Sequence, residues 1–169
     1  MININIFFDH NLDNNTILHY SVEKGYLETS QLIVDVLNVD IHLKNKKFQT
    51  ALEIACLAED NELIDYLISK GSSILPPLYT SIERNTPKVA YQLMKCGSIS
   101  PSILFETSQP SPLHLAVHLN RTRMVKILLR YAFWLTNFED RHGQRPIDLI
   151  TERTKKNLLA LFTENTIQL

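Results

Sequence analysis

Thr16-Ile17-Leu18-His19-Tyr20-Ser21 and Ser111-Pro112-Leu113-His114-Leu115-Ala116 are two copies of one pattern. Thr50-Ala51-Leu52-Glu53-Ile54-Ala55 follows the first by 34 residues, and Arg145-Pro146-Ile147-Asp148-Leu149-Ile150 follows the second by 34. Pro76-Pro77-Leu78-Tyr79-Thr80-Ser81 is a degenerate copy between them. Counted from the first residue of each copy, an aliphatic residue recurs two positions on: Leu18, Leu52, Leu78, Leu113 and Ile147. A small residue recurs five on in four copies: Ser21, Ala55, Ser81 and Ala116. A second apolar group begins about thirteen on. It reads Leu63, Ile64, Tyr66, Leu67 in the second copy and Val89, Ala90, Leu93, Met94 in the third. The fourth gives Met124, Val125, Ile127, Leu128, Leu129, and the fifth Leu158, Leu159, Leu161, Phe162. This spacing is one face of a helix. Each copy therefore reads as a short helix, a turn and a second helix.

Four glycines punctuate the pattern. Gly71 and Gly97 both lie 21 residues after their starts, where a left-handed C-cap is expected. Gly25 falls between two helices, and Gly143 in the turn before the last copy.

These strings resemble the ankyrin repeat family, whose unit is a β-turn plus two helices with a T-P-L-H-x-A signature. TILHYS and SPLHLA match best, TALEIA and RPIDLI more loosely, and Asn137 to Pro146 is similar to the family's N-x-x-D-x-x-G-x-T-P join. The resemblance covers about residues 11 to 164. It implies an all-α, single-domain ankyrin-repeat solenoid of stacked helix-turn-helix units with short β-hairpin or turn fingers. The units fall at about 11–44, 45–74, 75–99, 106–139 and 140–164, with 1–10 as an N-terminal cap. It also implies that His19 and His114 hydrogen-bond backbone within and between repeats. Glu53, Tyr79 and Asp148 replace them elsewhere, which argues against one shared chemical role.

Departures from the pattern carry further expectations. The second and third starts are only 26 residues apart, so the finger between those units is expected to be missing. The stretch from Ser98 to Pro110 is expected to be irregular. The second helix of the first unit, lacking a terminal glycine, is expected to run on toward Asn38. Asn85-Thr86-Pro87 offers a cap followed by Pro in the first turn of a helix. Lys155, Lys156 and Asn157 offer polar cover for the last unit. At the other end Ile2, Ile4, Ile6, Phe7 and Phe8 fold over the first unit or, as the alternative, form an edge for self-association.

Composition bounds the function. The 169 residues carry 17 basic and 18 acidic side chains, a net charge of −1. That balance gives no reason to expect nucleic acid or an anionic membrane as partner. No apolar run of about 18 residues is present, and the N-terminus lacks the regions of a signal peptide. Cys56 and Cys96 are the only cysteines and read as reduced, intracellular and mostly buried thiols. No metal-ligand spacing, nucleophile elbow or phosphate loop is present. No enzyme activity and no cofactor are expected, and the chain is expected to be a monomer. The basic runs Lys44, Lys46, Lys47 and Arg121, Arg123, Lys126, Arg130 read as solvated faces, since no stacking aromatics accompany them.

What remains is display. The seventh and eighth residues after each start fall on the concave side of a solenoid: Glu23 and Lys24, Leu57 and Ala58, Glu83 and Arg84, His118 and Leu119. The fingers add Lys46, Lys47, Gln49, Arg141, His142 and Gln144. Trp134, with Phe133, Leu135 and Phe138, either packs between the last units or anchors a partner. The expected partner surface is Lys46, Lys47, Leu57, Glu83, Arg84, His118, Leu119, Trp134, Arg141, His142 and Gln144. The expected function is an intracellular (cytoplasmic or nuclear) protein–protein interaction module that binds another protein without catalysis. One alternative is an inhibitor of Rel/NF-κB-type transcription factors, similar to truncated viral ankyrin inhibitors. The other is a host-directed effector or ubiquitin-ligase adaptor, against which the lack of an F-box or SOCS-like box weighs.

Overall fold

A computed structural model of the chain describes residues 13–106 and 110–166. The expectation for Ile2 to Phe8 lies outside them, as does the side chain of Lys155. Among the described residues the structure is helical, with no β-strand. The chain divides into two compact units, Met1–Pro77 and Leu78–Leu169.

The first unit holds two helix pairs. Helices α1 (Ile17–Glu23) and α2 (Leu27–Asp35) form one; α3 (Ala51–Leu57) and α4 (Asn61–Ser69) form the next. α1 packs on α2 and α3, and α4 packs on α3 and α2. The apolar pattern is the core: Leu18, Val22, Leu52, Ala55, Leu63, Ile64 and Leu67 are all almost wholly buried. α2 stops at Asp35, with Val36 as C-cap and Asn38 left-handed at φ 49°, so it does not run on toward Asn38. Only Ser72-Ser73-Ile74 separates Gly71 from α5 (Leu75–Arg84), and no finger forms there.

In the second unit α6 (Pro87–Cys96) follows, then α7 (Pro101–Glu106). The stretch 98–110 is thus not irregular throughout, because Pro101 starts a helix at the one position where its missing N–H costs nothing. α8 (Pro112–His118) and α9 (Thr122–Tyr131) form a full pair, and α9 also packs on α6. A 3-10 turn at Phe133–Asn137 leads into the last repeat. There the expected first helix is reduced to one 3-10 turn, Pro146–Leu149, before α10 (Glu152–Thr166). The small residue five positions after the start allows the first helix to lie close to its neighbour in the other repeats: Ser21, Ala55, Ser81 and Ala116 are buried. Ile150 occupies that position here, too large and β-branched to do so, and takes an extended conformation at ψ 115°. α10 buries Leu158, Leu161 and Phe162, while Lys156 and Asn157 stay exposed as polar cover.

One backbone device recurs. The residue nine after each of the first four starts is left-handed: Gly25 (φ 71°), Glu59 (φ 54°), Asn85 (φ 57°) and Asn120 (φ 53°). At each, the chain closes a pair of hydrogen bonds back onto the helix. Asp60 N–H donates to Ala55 and Glu59 N–H to Cys56, and Arg121 and Asn120 do the same to Ala116 and Val117. This is the Schellman stop, which satisfies the last carbonyls. Asn85 therefore ends α5 rather than capping α6; Thr86 takes the N-cap position of α6 without a side-chain capping bond, and Pro87 opens the helix. Gly71 ends α4 in the same way, at φ 95°. Gly97 does not, since its φ of −123° is extended backbone.

Glu59 is the one stop residue that is neither Gly nor Asn. A left-handed non-glycine costs about 1–2 kcal/mol, offset in part by the extra chain entropy that Gly loses. Glu59→Gly is therefore expected to stabilise the fold by about 0.5–1 kcal/mol. Leu113→Ala, at a fully buried side chain, is expected to cost about 2–5 kcal/mol. Denaturant unfolding reads both, and an unchanged Leu113→Ala midpoint would contradict the core assignment.

Candidate interaction surface

The fingers are turns held by side-chain carboxyl or amide groups. In the first unit Asn45 N–H donates to the Gln49 carbonyl at 3.0 Å, and Phe48 N–H to the Asn45 carbonyl at 2.9 Å. The Asn45 side-chain oxygen accepts from the N–H groups of Lys47 (2.9 Å) and Gln49 (3.0 Å). The finger of the second unit repeats this bond for bond. Asp140 stands for Asn45, Gly143 for Phe48 and Gln144 for Gln49. The two N–H groups on Asp140, from Gln144 and His142, hold its carboxyl below the usual range. Asn45 is also tied to Asn15 (2.9 Å) and Lys47 to Asp13 (3.3 Å).

Each finger is anchored to the preceding helix start by an imidazole. His19 is 2% exposed. Its Nδ1 accepts from the Thr16 N–H at 3.1 Å, and its Nε2 donates to the Gln49 carbonyl at 3.0 Å. His114 pairs with Ser111 Oγ at 2.7 Å and donates from Nε2 to the Gln144 carbonyl at 2.8 Å. A carbonyl only accepts, so Nε2 carries the hydrogen in both rings. These histidines are structural. Tyr79, at the same position of the third repeat, does the same work: its hydroxyl donates to the Pro110 carbonyl at 2.6 Å. The residue type changes while the structural bridge remains in these three repeats.

The expected partner residues fall in two groups. In the first unit Lys46, Lys47 and Leu57 are exposed, Leu57 by 41%. In the second, Glu83, Arg84, His118, Arg141, His142 and Gln144 are exposed and Leu119 is half-buried. Arg141 Nε donates to His142 Nε2 at 3.2 Å. Trp134 is 36% exposed, edge-on to Phe138 at 6.4 Å, and Phe138 is edge-on to His114 at 6.3 Å. Trp134, Phe138, Pro101, Asn137 and Glu139 line an open depression of about 370 Å³. Leu135 beside it is wholly buried. The ring pairings support the packing reading and the exposed edge the anchoring one.

Phe48 was not among the expected residues, yet it is 78% exposed at the finger tip with φ 58°. The signal was present: aligned on the starts, Phe48 occupies the glycine position of the finger. The basic run of the second unit is exposed at Arg123, Lys126 and Arg130, while half-buried Arg121 donates from Nη2 to the Glu83 carbonyl at 3.2 Å.

The thiols differ. Burial, with the nearby Glu53 charge, pushes Cys56 up to about 12, so it stays protonated and unreactive at neutral pH. Cys96 is exposed rather than buried. No group of three or more His, Cys, Asp or Glu side chains among the described residues could hold a metal ion. No described helix is long and apolar enough to cross a membrane.

A family model described as ankyrin repeats (3 copies) matches residues 2–76, and a single ankyrin-repeat model matches 111–136, together more than half of the chain. The chain is an ankyrin-repeat protein. Its all-α fold is similar to the crystal structure of the ankyrin repeat domain of Bcl-3, described as a unique member of the IkappaB protein family. The TM-score is 0.73 at 20% identity, over 90% of this chain and 69% of that one. The fold is widely used, since 312 solved chains match, so this likeness speaks to fold and not to partner. Comparison with curated proteins gives no match. Ankyrin repeats are a non-catalytic, protein-interaction type of scaffold.

Burial lowers the pKa of His19, offset in part by its backbone bonds at Gln49 and Leu43. The unfolded chain then binds more protons than the folded one below about 6.5. The stabilisation from His19 is present above that pH and lost as pH falls through the depressed folded value. Thermal unfolding of the wild type is expected to weaken between pH 7 and 5 more steeply than that of His19→Gln. Equal slopes would remove His19 from the explanation.

Proposed function

We propose that this ankyrin-repeat protein is a rigid, non-catalytic module that captures another protein through its exposed first-helix ends and finger tips. One observation carries the reading. The exposed residues sit on backbone whose hydrogen bonds are already closed internally, by Schellman stops at Gly25, Glu59, Asn85 and Asn120 and by the finger bonds at Asn45 and Asp140. Side chains held this way lose little ordering entropy on binding. In the second unit His118, Leu119, Arg141 and Trp134 form the proposed footprint, with Glu83, Arg84, His142 and Gln144 around it. In the first, Lys46, Lys47 and Leu57 form another. Cys56 and Cys96, neither of them in a disulfide, support a reducing, intracellular setting, in cytoplasm or nucleus. The monomeric state and the lack of a nucleic-acid or membrane partner are part of the same proposal.

A second, narrower reading is an inhibitor that binds Rel-homology domains. It rests on size and repeat architecture alone, since the likeness to the Bcl-3 repeat domain speaks to fold and not to partner. Pull-down with purified Rel-homology domains separates it from the broader one.

Alanine at His118, Leu119, Arg141 and Trp134 together is expected to remove the principal partner in affinity purification with mass spectrometry, while the melt stays cooperative. Recovery of the same partner at wild-type levels would refute this footprint.

A further inference from the structure

The position two residues before a start is left-handed ahead of the first repeat, at Asn14 (φ 51°), and in both fingers described, at Phe48 (φ 58°) and Gly143 (φ 72°). Asn and Gly accept that conformation; a bulky aromatic does not. Phe48 is therefore disfavoured by its backbone. Its ring is 78% exposed, so burial within the fold does not compensate. A β-carbon added at Gly143 would meet nothing within 4 Å, so this position points a side chain outward. Strain held without internal return marks functional sites.

The surroundings select the partner. Lys44, Lys46 and Lys47, all within four residues of Phe48, are exposed, and Lys47 is paired with Asp13. An aromatic tip flanked in sequence by exposed lysines is complementary to an apolar pocket rimmed by carboxylates. One ring is too little apolar area to hold a membrane surface, which needs a broad amphipathic face or a second anchor. We infer that Phe48 is an aromatic anchor, presented by the strained finger at 45–49, that inserts into an acidic pocket on a partner protein. This rests on the interaction-module reading and adds a contact to it.

The test uses the full chain with the photoreactive p-benzoylphenylalanine placed at position 48 and, separately, at 57 and 134. Position 48 is expected to crosslink to a protein whose attached peptide has Asp or Glu flanking apolar residues. With that protein purified, Phe48→Asn is expected to weaken binding at least tenfold and to raise the melting temperature by about 2–4 °C. Wild-type binding is expected to weaken as salt rises. Crosslinking at 57 or 134 but not 48 overturns the anchor and leaves the module reading standing; silence at all three overturns both. A lower melting temperature in both Phe48→Asn and Phe48→Gly shows a packed ring and overturns it. Sedimentation with phosphatidylserine vesicles that Phe48→Asn abolishes assigns the tip to a lipid surface and overturns it as well.

Discussion

The bond from the fourth signature residue to the carbonyl just before the next repeat's start is the link on which the repeats depend. His19 makes it to Gln49, Tyr79 to Pro110 and His114 to Gln144. Each donor is long and flat, so it can sit buried or half-buried and still reach across. Burial pushes Tyr79 up to about 12, which keeps its phenol a donor. The other two copies carry Glu53 and Asp148. These carboxylates turn back on their own helix start, accepting from the Thr50 and Arg145 N–H groups at 2.8 and 2.9 Å. The second repeat is followed by no finger, and the fifth has no partner repeat among the described residues. The residue at this position thus reports whether a carbonyl lies ahead to receive a bond.

That rule also explains what the sequence could and could not convey. The repeat pattern, the core leucines and the missing finger were legible because each follows from spacing. Leu18, Leu52, Leu78 and Leu113 are buried as their position requires. The fifth repeat is hard to read because its apolar pattern survives while Ile150 breaks the steric condition on which the first helix rests. α7 is not legible from spacing, because Pro101 interrupts the repeat pattern and yet opens a helix.

Left-handed positions were half legible. Gly25, Gly71 and Gly143 announce themselves, but Glu59, Asn85, Asn120 and Phe48 meet the same requirement without glycine. Gly97 misleads in the other direction, since a glycine also tolerates the extended backbone it adopts. The conformation belongs to the place in the repeat, not to the residue, and it becomes visible only when the copies are laid over one another.

The candidate interaction surface is least legible for the same physical reason. The helix stops, finger bonds and imidazole bridges close through backbone and a few polar side chains, so most side chains at the first-helix ends and finger tips carry little structural duty, Lys47 with its Asp13 pairing apart. A residue under no folding constraint carries no folding signal. Glu83, Arg84 and His118 satisfy the fold as well as many substitutes would. Phe48 differs in kind: at its position the fold would do better with Asn14's or Gly143's residue type, and its ring still faces water. Compatibility with the repeat cannot distinguish a functional side chain from an indifferent one, whereas a cost to the repeat can. The most informative exposed residue is therefore the one that the architecture alone would not select.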